Sequence, residues 1–130
     1  MSEFKVYYED TDASGRVYHA NYLKFFERGR TDLIYQTKYT HEILLDKFNI
    51  IFVVKECSIE FNKPAFFEDT IKVISKINQL SRVKIKFNQK IFRDFELLAE
   101  AQILVIPVSG LGKISKIPDE LYLFLESFKI

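Results

Sequence analysis

Four segments in which apolar and polar residues alternate constrain the fold more than any other feature of this sequence. In each segment the apolar side chains occupy every second position. Such alternation is typical of strands with one buried and one solvated face, as in antiparallel sheets. A fifth, shorter strand is predicted at Phe4–Tyr8. The apolar positions are Ile51, Val53, Cys57, Ile59 and Phe61; Ile71, Val73 and Ile77; Val83, Ile85, Phe87 and Ile91; and Leu97, Ala99, Ala101, Ile103 and Val105.

The spacing changes to that of a helix after Asn21. Apolar or small residues recur at i, i+3, i+4, i+7 and i+11 from Tyr22 to Leu33, which predicts one long amphipathic helix. Gly29 lies within this stripe and costs about 1 kcal/mol of helix propensity relative to Ala, so we expect the helix backbone to lie close to another element there. Shorter helices are predicted from a Thr40 cap to Phe48 and from Pro118 onwards. One long helix can cover five strands only if the sheet curls around it, and the predicted class is therefore α+β.

Composition excludes several classes of protein. The 130 residues carry 19 basic and 18 acidic side chains, which argues against a basic nucleic-acid-binding surface and against an acidic tail. The single cysteine, Cys57, excludes an internal disulfide and is predicted to be buried, and two histidines make a histidine-rich metal cage improbable. Without repeats or linkers, residues 1–130 are predicted to form a single domain. No signal peptide or membrane span is visible, which favours a cytoplasmic location.

One segment is more specific than these patterns. It runs from Tyr8 to Tyr22 as Y-E-D-T-D-A-S-G-R-V-Y-H-A-N-Y. The segment resembles the signature of hotdog-fold acyl-CoA thioesterases of the 4-hydroxybenzoyl-CoA thioesterase-like group, above all the Tol-Pal-associated (YbgC-type) branch. A second segment, Pro64–Asp69, resembles that family's turn between its second and third strands. The resemblance implies a single hotdog domain, in which a curved five-stranded antiparallel sheet wraps a long central helix and a C-terminal helix follows.

The resemblance also implies a catalytic site. Asp12 stands where the family has its catalytic carboxylate, which can act as general base or as nucleophile; the alternative is an aspartate that only caps a turn. The backbone N–H of His19, at the helix N-terminus with Gly15 and Tyr18, is expected to bind the oxyanion. The His19 side chain is expected to orient or polarise the thioester, or else only to pack at the helix entrance.

Other polar side chains receive weaker assignments. Lys84, Lys86 and Lys90 form a stripe that is a candidate for binding the phosphates of coenzyme A, although a solvated sheet face is favoured because alternating lysines are common there. His41 is expected at the surface. For Glu27, a solvated position or an ion pair is favoured over a catalytic role. No metal and no cofactor is expected, apart from the coenzyme A of the substrate.

The predicted function is hydrolysis of an acyl-CoA thioester by a homo-oligomer, a dimer or a tetramer. The acyl carrier protein is an alternative carrier of the acyl group, and peripheral association with the inner membrane is left open. One rival hypothesis is a hotdog dehydratase or hydratase, whose chemistry usually needs a histidine and a carboxylate, one from each subunit; His19 with Glu27 is a poor match, and the thioesterase motif disfavours this rival. Another is a non-catalytic acyl-binding scaffold.

Overall fold

The computed structural model describes all residues from Met1 to Ile130. Five strands and three helices follow in the order β1, α1, α2, β2, β3, β4, β5 and α3, with two short 3-10 turns, Tyr8–Asp10 and His19–Asn21, between β1 and α1. Their bounds are β1 Ser2–Lys5, α1 Tyr22–Tyr35, α2 His41–Phe48, β2 Ile51–Phe61, β3 Thr70–Ser81, β4 Lys84–Arg93, β5 Glu96–Val108 and α3 Asp119–Glu126. None of the three helices has the length and hydropathy that a membrane-spanning helix requires.

The strands form one antiparallel sheet in the order β1-β3-β4-β5-β2. The helix α1 packs on its inner face, where the core residues Phe25, Phe26, Phe87, Ile91 and Ile103 are almost completely buried. This is the α+β hotdog architecture that the sequence predicted. The strands β1 and β2 form the two edges, and β2 pairs only with β5 over its whole length.

At Gly29 the backbone of α1 lies very close to the sheet. A Cβ atom at this position would lie 2.7 Å from Val73 Cγ1 and 2.9 Å from Ser75 Oγ, distances that no side chain tolerates. The contact therefore requires glycine, and the expected close approach of the helix backbone is confirmed. It sets the depth at which α1 lies on the sheet.

The face assignment predicted for β2 is wrong in its first half. The register with β5 shifts between Val54 and Glu56, so Lys55 is the extra residue of a β-bulge. Phe52 and Val54 consequently line a cleft beside α1, whereas Phe61, of opposite parity, stacks edge-on against Tyr22 of the same helix. Ile51 and Val53 therefore do not share a face with Phe61.

Cys57 is exposed, although the alternation predicted a buried side chain. It lies in β2, and no further strand covers this edge of the sheet. Alternation reports which face a side chain occupies but not whether another element covers that face, and this is why the prediction failed.

The ends of the chain differ slightly from the predictions. The first strand ends at Lys5 rather than Tyr8, because residues 8–10 form a 3-10 turn. Pro118 is the residue before α3 rather than its first residue. The predicted cap of α2 is confirmed, since Thr40 Oγ1 accepts a hydrogen bond of 3.1 Å from Ile43 N.

Candidate active site

The loop between β1 and α1 is held at both ends by one buried carboxylate. Asp10 is only 5% exposed. Its Oδ1 accepts a hydrogen bond of 2.8 Å from Asn21 Nδ2, and its Oδ2 accepts one of 2.9 Å from Tyr7 N. Its backbone carbonyl also accepts from Tyr18 N at 3.0 Å. Asp10 therefore ties the start of the loop to the beginning of α1.

Asp12 lies at the start of a tight turn within this loop. Its backbone N–H donates to Arg16 O and its carbonyl accepts from Gly15 N. The side-chain Oδ1 accepts hydrogen bonds from both the N–H and the hydroxyl of Ser14, at 2.9 and 2.5 Å. The hydroxyl of Ser14, followed by its N–H, holds the pKa of the Asp12 carboxyl below its usual value. The carboxylate is exposed and ionised at neutral pH, and Oδ2 has no partner within the chain.

Gly15 closes this turn with a φ of +78°, in the left-handed region that favours glycine. A Cβ atom there would meet nothing within 4 Å. Glycine is thus required by backbone conformation, in agreement with a turn role. The expected role of Gly15 in allowing close approach of a ligand remains a prediction.

The chain becomes helical at His19, where the 3-10 turn His19–Asn21 leads directly into α1. The N–H of His19 donates to no group of the chain. By contrast, the N–H of Tyr18 is used by Asp10, which leaves it unable to bind an oxyanion in this arrangement. Unpaired N–H groups at a helix start carry partial positive charge. The His19 N–H is therefore the available donor at this position.

A pocket of about 340 Å³ brings these groups together. Asp12 and His19 both line it, with Tyr22 at the start of α1 and Phe61 at the end of β2. The His19 ring lies against Tyr18, with ring centroids 4.6 Å apart, and edge-on to Phe61 at 6.5 Å. The pocket thus combines an ionised carboxylate, a free backbone donor and apolar walls.

The segment Pro64–Asp69 is hydrogen-bonded to two residues that line the pocket. Ala65 donates its N–H to Tyr22 Oη at 3.1 Å, and its carbonyl accepts from Val17 N at 2.9 Å. Arg93 holds the segment in place, because it donates to Pro64 O at 3.1 Å and to Asp69 Oδ2 at 2.7 Å. The resemblance identified this turn, and the structure shows that it is hydrogen-bonded to Val17 and Tyr22, on either side of His19.

The lysine stripe lies elsewhere. Ile85, Phe87, Gln89 and Ile91 of β4 are buried against the inside of the sheet, so the alternating Lys84, Lys86 and Lys90 point to its outer face. The basic residues that do line the pocket are Arg16 and Lys63. Sequence reasoning missed this pair because the two residues are distant in the chain and neither belongs to a charged run.

Glu27 and His41 lie in a different cleft, farther along α1. Both are exposed, in line with the surface position expected for His41. Thr31 Oγ1 donates to Glu27 Oε1 at 3.2 Å and lies 3.3 Å from His41 Nε2. Within one subunit, His19 and Glu27 therefore line different clefts.

Asp10, Asn21 and Arg93 are the supporting residues that sequence reasoning missed. A signal did exist for Asp10, since two acidic residues at positions 10 and 12 bracket Thr11 in the quoted segment. Period and spacing do not reveal which of two such carboxylates is buried.

Comparison with known proteins identifies relatives over nearly the whole chain. Residues 6–125 match the family described as the thioesterase-like superfamily. Acyl-CoA thioesterase YbgC of Haemophilus influenzae is 38% identical over 113 residues, which cover 87% of this chain and 82% of that protein. Acyl-CoA thioester hydrolase YbgC of Escherichia coli is 36% identical over 108 residues, 82% of this chain and 80% of that protein. The crystal structure of a probable thioesterase from Bartonella henselae superimposes with a TM-score of 0.87 at 31% identity, covering 90% of this chain and 97% of that one.

Proposed function

The chain belongs to the thioesterase-like superfamily, and we propose that it hydrolyses acyl-CoA thioesters to a free acid and coenzyme A. The observation that carries this proposal is that one pocket holds both the ionised Asp12 carboxylate and the unpaired N–H of His19. Thioester hydrolysis needs a group that activates water or attacks the carbonyl, and a donor for the charge that develops on oxygen. The pocket supplies both.

Asp12 has two routes to the product. As general base, it takes a proton from water, the hydroxide adds to the carbonyl carbon, and the thiolate leaves and receives the proton. As nucleophile, its oxygen displaces the thiolate to form a mixed anhydride that water then hydrolyses. Both routes need the ionised carboxylate, which the hydrogen bonds from Ser14 favour.

The N–H of His19 is proposed to hold the carbonyl oxygen as it becomes negative. This N–H belongs to the first residue of the helical turn and points along the helix dipole. Its attraction for the carbonyl oxygen grows as negative charge develops there. The imidazole of His19 borders the same pocket and is proposed to orient the thioester. A thiolate leaves readily, so the mechanism does not depend on a general acid.

The phosphates of coenzyme A are proposed to bind basic side chains. Arg16 and Lys63 line the pocket where the thioester reacts. The stripe Lys84, Lys86 and Lys90 lies on the outer face of the sheet and remains a proposed second contact for this long substrate. No cofactor beyond the substrate's own coenzyme A enters the proposal.

We further propose that two subunits join through β2. Its eleven residues leave one side of the strand unpaired, and the strand carries the exposed apolar side chains Ile51 and Val53 on one face and Val54 and Phe61 on the other. A long apolar edge strand is a ready template for pairing with a second chain. A dimer, or a tetramer made of dimers, would cover it.

A panel of acyl-CoA substrates with thiol detection tests the function. Release of free thiol at a rate proportional to enzyme supports hydrolysis. Addition or loss of water without thiol release would support the dehydratase, and acyl-CoA binding without turnover would support the scaffold. Acyl carrier protein thioesters in the same assay decide which carrier is preferred.

A further inference from the structure

The turn between β4 and β5 carries the most exposed large apolar side chain of the protein. Phe95 has a relative exposure of 101%, so no other residue covers its ring. The turn consists of two residues, Asp94 and Phe95, between the strand ends Arg93 and Glu96. Turns of this length favour glycine, asparagine and aspartate. The backbone of the turn thus gives no reason for a phenylalanine, and both faces of the ring are open.

The base of this turn is anchored to the catalytic pocket. Arg93 forms an ion pair of 2.5 Å with Glu96 across the turn. The same guanidinium donates to Asp69 Oδ2 at 2.7 Å and to Pro64 O at 3.1 Å. Both acceptors belong to the segment that is hydrogen-bonded to the walls of the pocket. The position of the turn relative to the pocket is therefore fixed, while the ring of Phe95 projects into solvent.

A second ion pair joins the turn to the proposed phosphate site. Lys63 lines the catalytic pocket together with Asp12, and its Nζ lies 2.7 Å from Glu96 Oε2. Glu96 directly follows Phe95 in the chain. One glutamate side chain and one Cα–Cα step therefore separate the Lys63 ammonium from the backbone of Phe95, a distance of at most about 12 Å.

Coenzyme A has three parts that these residues can contact in turn. Its thioester is proposed to react at Asp12, and its phosphates are proposed to bind Arg16 and Lys63. The Lys63 ammonium has three N–H donors, so it can bind a phosphate while it remains paired with Glu96. A single ribose connects the pyrophosphate to the adenine, and a pyrophosphate at Lys63 therefore leaves the adenine within reach of Phe95. Adenine is a flat π-system, and nucleic-acid bases commonly stack on aromatic side chains.

We propose that Phe95 binds the adenine ring of coenzyme A by stacking. This rests on the proposed thioesterase function and names a contact for the end of the substrate that is farthest from the reacting bond. Phe95 then contributes to the binding of acyl-CoA but not of acyl carrier protein thioesters, which carry phosphopantetheine without a nucleotide. Phe95 is a specificity residue and takes no part in the chemical step.

The first test compares acyl-CoA with the pantetheine thioester of the same acyl group, which lacks the nucleotide. Phe95→Ala should raise KM for acyl-CoA by about five- to a hundredfold, the range for removal of an aromatic side chain that stacks on a base. The kcat for acyl-CoA and the KM for acyl-pantetheine should not change. Phe95→Leu keeps an apolar side chain without a ring and should behave like Phe95→Ala. Leu111→Ala, at another turn residue that is 88% exposed, is the matched control and should alter neither constant.

The second test needs no turnover. The chain contains no tryptophan, so Phe95→Trp introduces a single one at the proposed contact. Stacking on adenine should quench its fluorescence when the protein is titrated with coenzyme A, whereas pantetheine should cause no change. Leu111→Trp also carries a single tryptophan in an exposed turn, and its fluorescence should respond to neither compound.

Equal losses for acyl-CoA and acyl-pantetheine in Phe95→Ala overturn the proposal, as does a Phe95→Trp protein that binds coenzyme A in calorimetry without quenching. A loss confined to acyl carrier protein thioesters also overturns it, because Phe95 would then contact the carrier protein. If the wild-type protein neither binds coenzyme A nor releases thiol from any substrate, the proposed function itself fails. If the wild-type protein does both and Phe95→Ala keeps the wild-type KM, only this inference fails.

Discussion

Asp10 and Asn21, eleven residues apart, form a buried hydrogen bond of 2.8 Å that closes the loop carrying Asp12 and His19. Asp10 ends the 3-10 turn Tyr8–Asp10 that follows β1, and Asn21 immediately precedes α1. The distance between the candidate base and the candidate oxyanion donor is therefore set by a bond in which neither takes part.

The pair can be tested by exchanging its two members. In Asp10→Asn, two amide side chains meet at this position. In Asn21→Asp, two carboxylates meet there. Each change leaves buried groups poorly paired and should cost about 1–3 kcal/mol of stability, with kcat reduced roughly 10–100-fold by misplacement of the loop. The double exchange restores donor and acceptor and should recover most of both losses. Additive losses in unfolding and kcat measurements would contradict the role of this pair.

Asp12→Asn separates catalysis from turn capping. The amide oxygen can still accept the bonds from Ser14, so the melting temperature should change little. The amide can act neither as a base nor as a nucleophile, however, so the substitution should lower kcat by about 10²–10⁴-fold. Asp94→Asn, at an exposed turn residue far in sequence from the loop, is the matched control. Retained turnover in a folded Asp12→Asn protein would leave the His19 ring as the next candidate.

The pH dependence of kcat/KM follows from the lowered pKa of Asp12. The ionised form persists below the ordinary range for aspartate, about 3.9, so activity should fall only as the pH drops through the lowered pKa. Ser14→Ala removes the strongest stabilising hydrogen bond and should move this acidic limb to higher pH. Ser115→Ala should not. Circular dichroism at each pH distinguishes titration from unfolding. If the acidic limb of Ser14→Ala lies at the same pH as that of the wild-type protein, the limb does not report the ionisation of Asp12.

Charge-reversal variants can show which of the two groups of basic residues binds the phosphates of coenzyme A. Arg16→Glu with Lys63→Glu should raise KM for acyl-CoA at least several-fold, with little change in kcat, because binding is lost equally in ground and transition states. Lys86→Glu with Lys90→Glu should raise KM less, since these side chains lie across the sheet. Substrates that lack the 3′-phosphate of coenzyme A should reduce the difference. An unchanged KM in the variant with Lys86→Glu and Lys90→Glu would mean that the lysine stripe is only a solvated face of the sheet.

Assembly through β2 is tested by light scattering. The wild-type protein should have the mass of a dimer or a tetramer rather than the 15.4 kDa of one chain. Val53→Lys places a charge on the open edge and should shift the distribution towards monomer. Val83→Lys, also exposed but in the turn before β4, should not. A wild-type monomer that is fully active at micromolar concentration would exclude a site that depends on two subunits.

Local pattern was sufficient for most of the architecture. The strands, the three helices and the Thr40 cap follow from spacing and residue type, because these depend on neighbours within a few positions. Gly29 in the apolar stripe indicated a close approach of the helix backbone, and the structure supplies its partners, Val73 and Ser75 of β3. The segment from Tyr8 to Tyr22 identified Asp12 and His19 as the residues to consider. The structure adds that both border one pocket and that the His19 N–H is unpaired.

Tertiary structure decided what depends on distant residues. The bulge at Lys55 turns Phe52 and Val54 toward α1, and alternation cannot locate an extra residue that only pairing with β5 defines. Cys57 is exposed because its strand is an edge. Arg30 meets Gln89 across 59 positions of sequence in a hydrogen bond of 3.1 Å. By itself, the sequence determined the elements and identified the candidate catalytic segment. The depth of the helix, the free edge and the cleft beside Glu27 and His41 arise only when separate segments pack together, since such contacts leave no periodic trace along the chain.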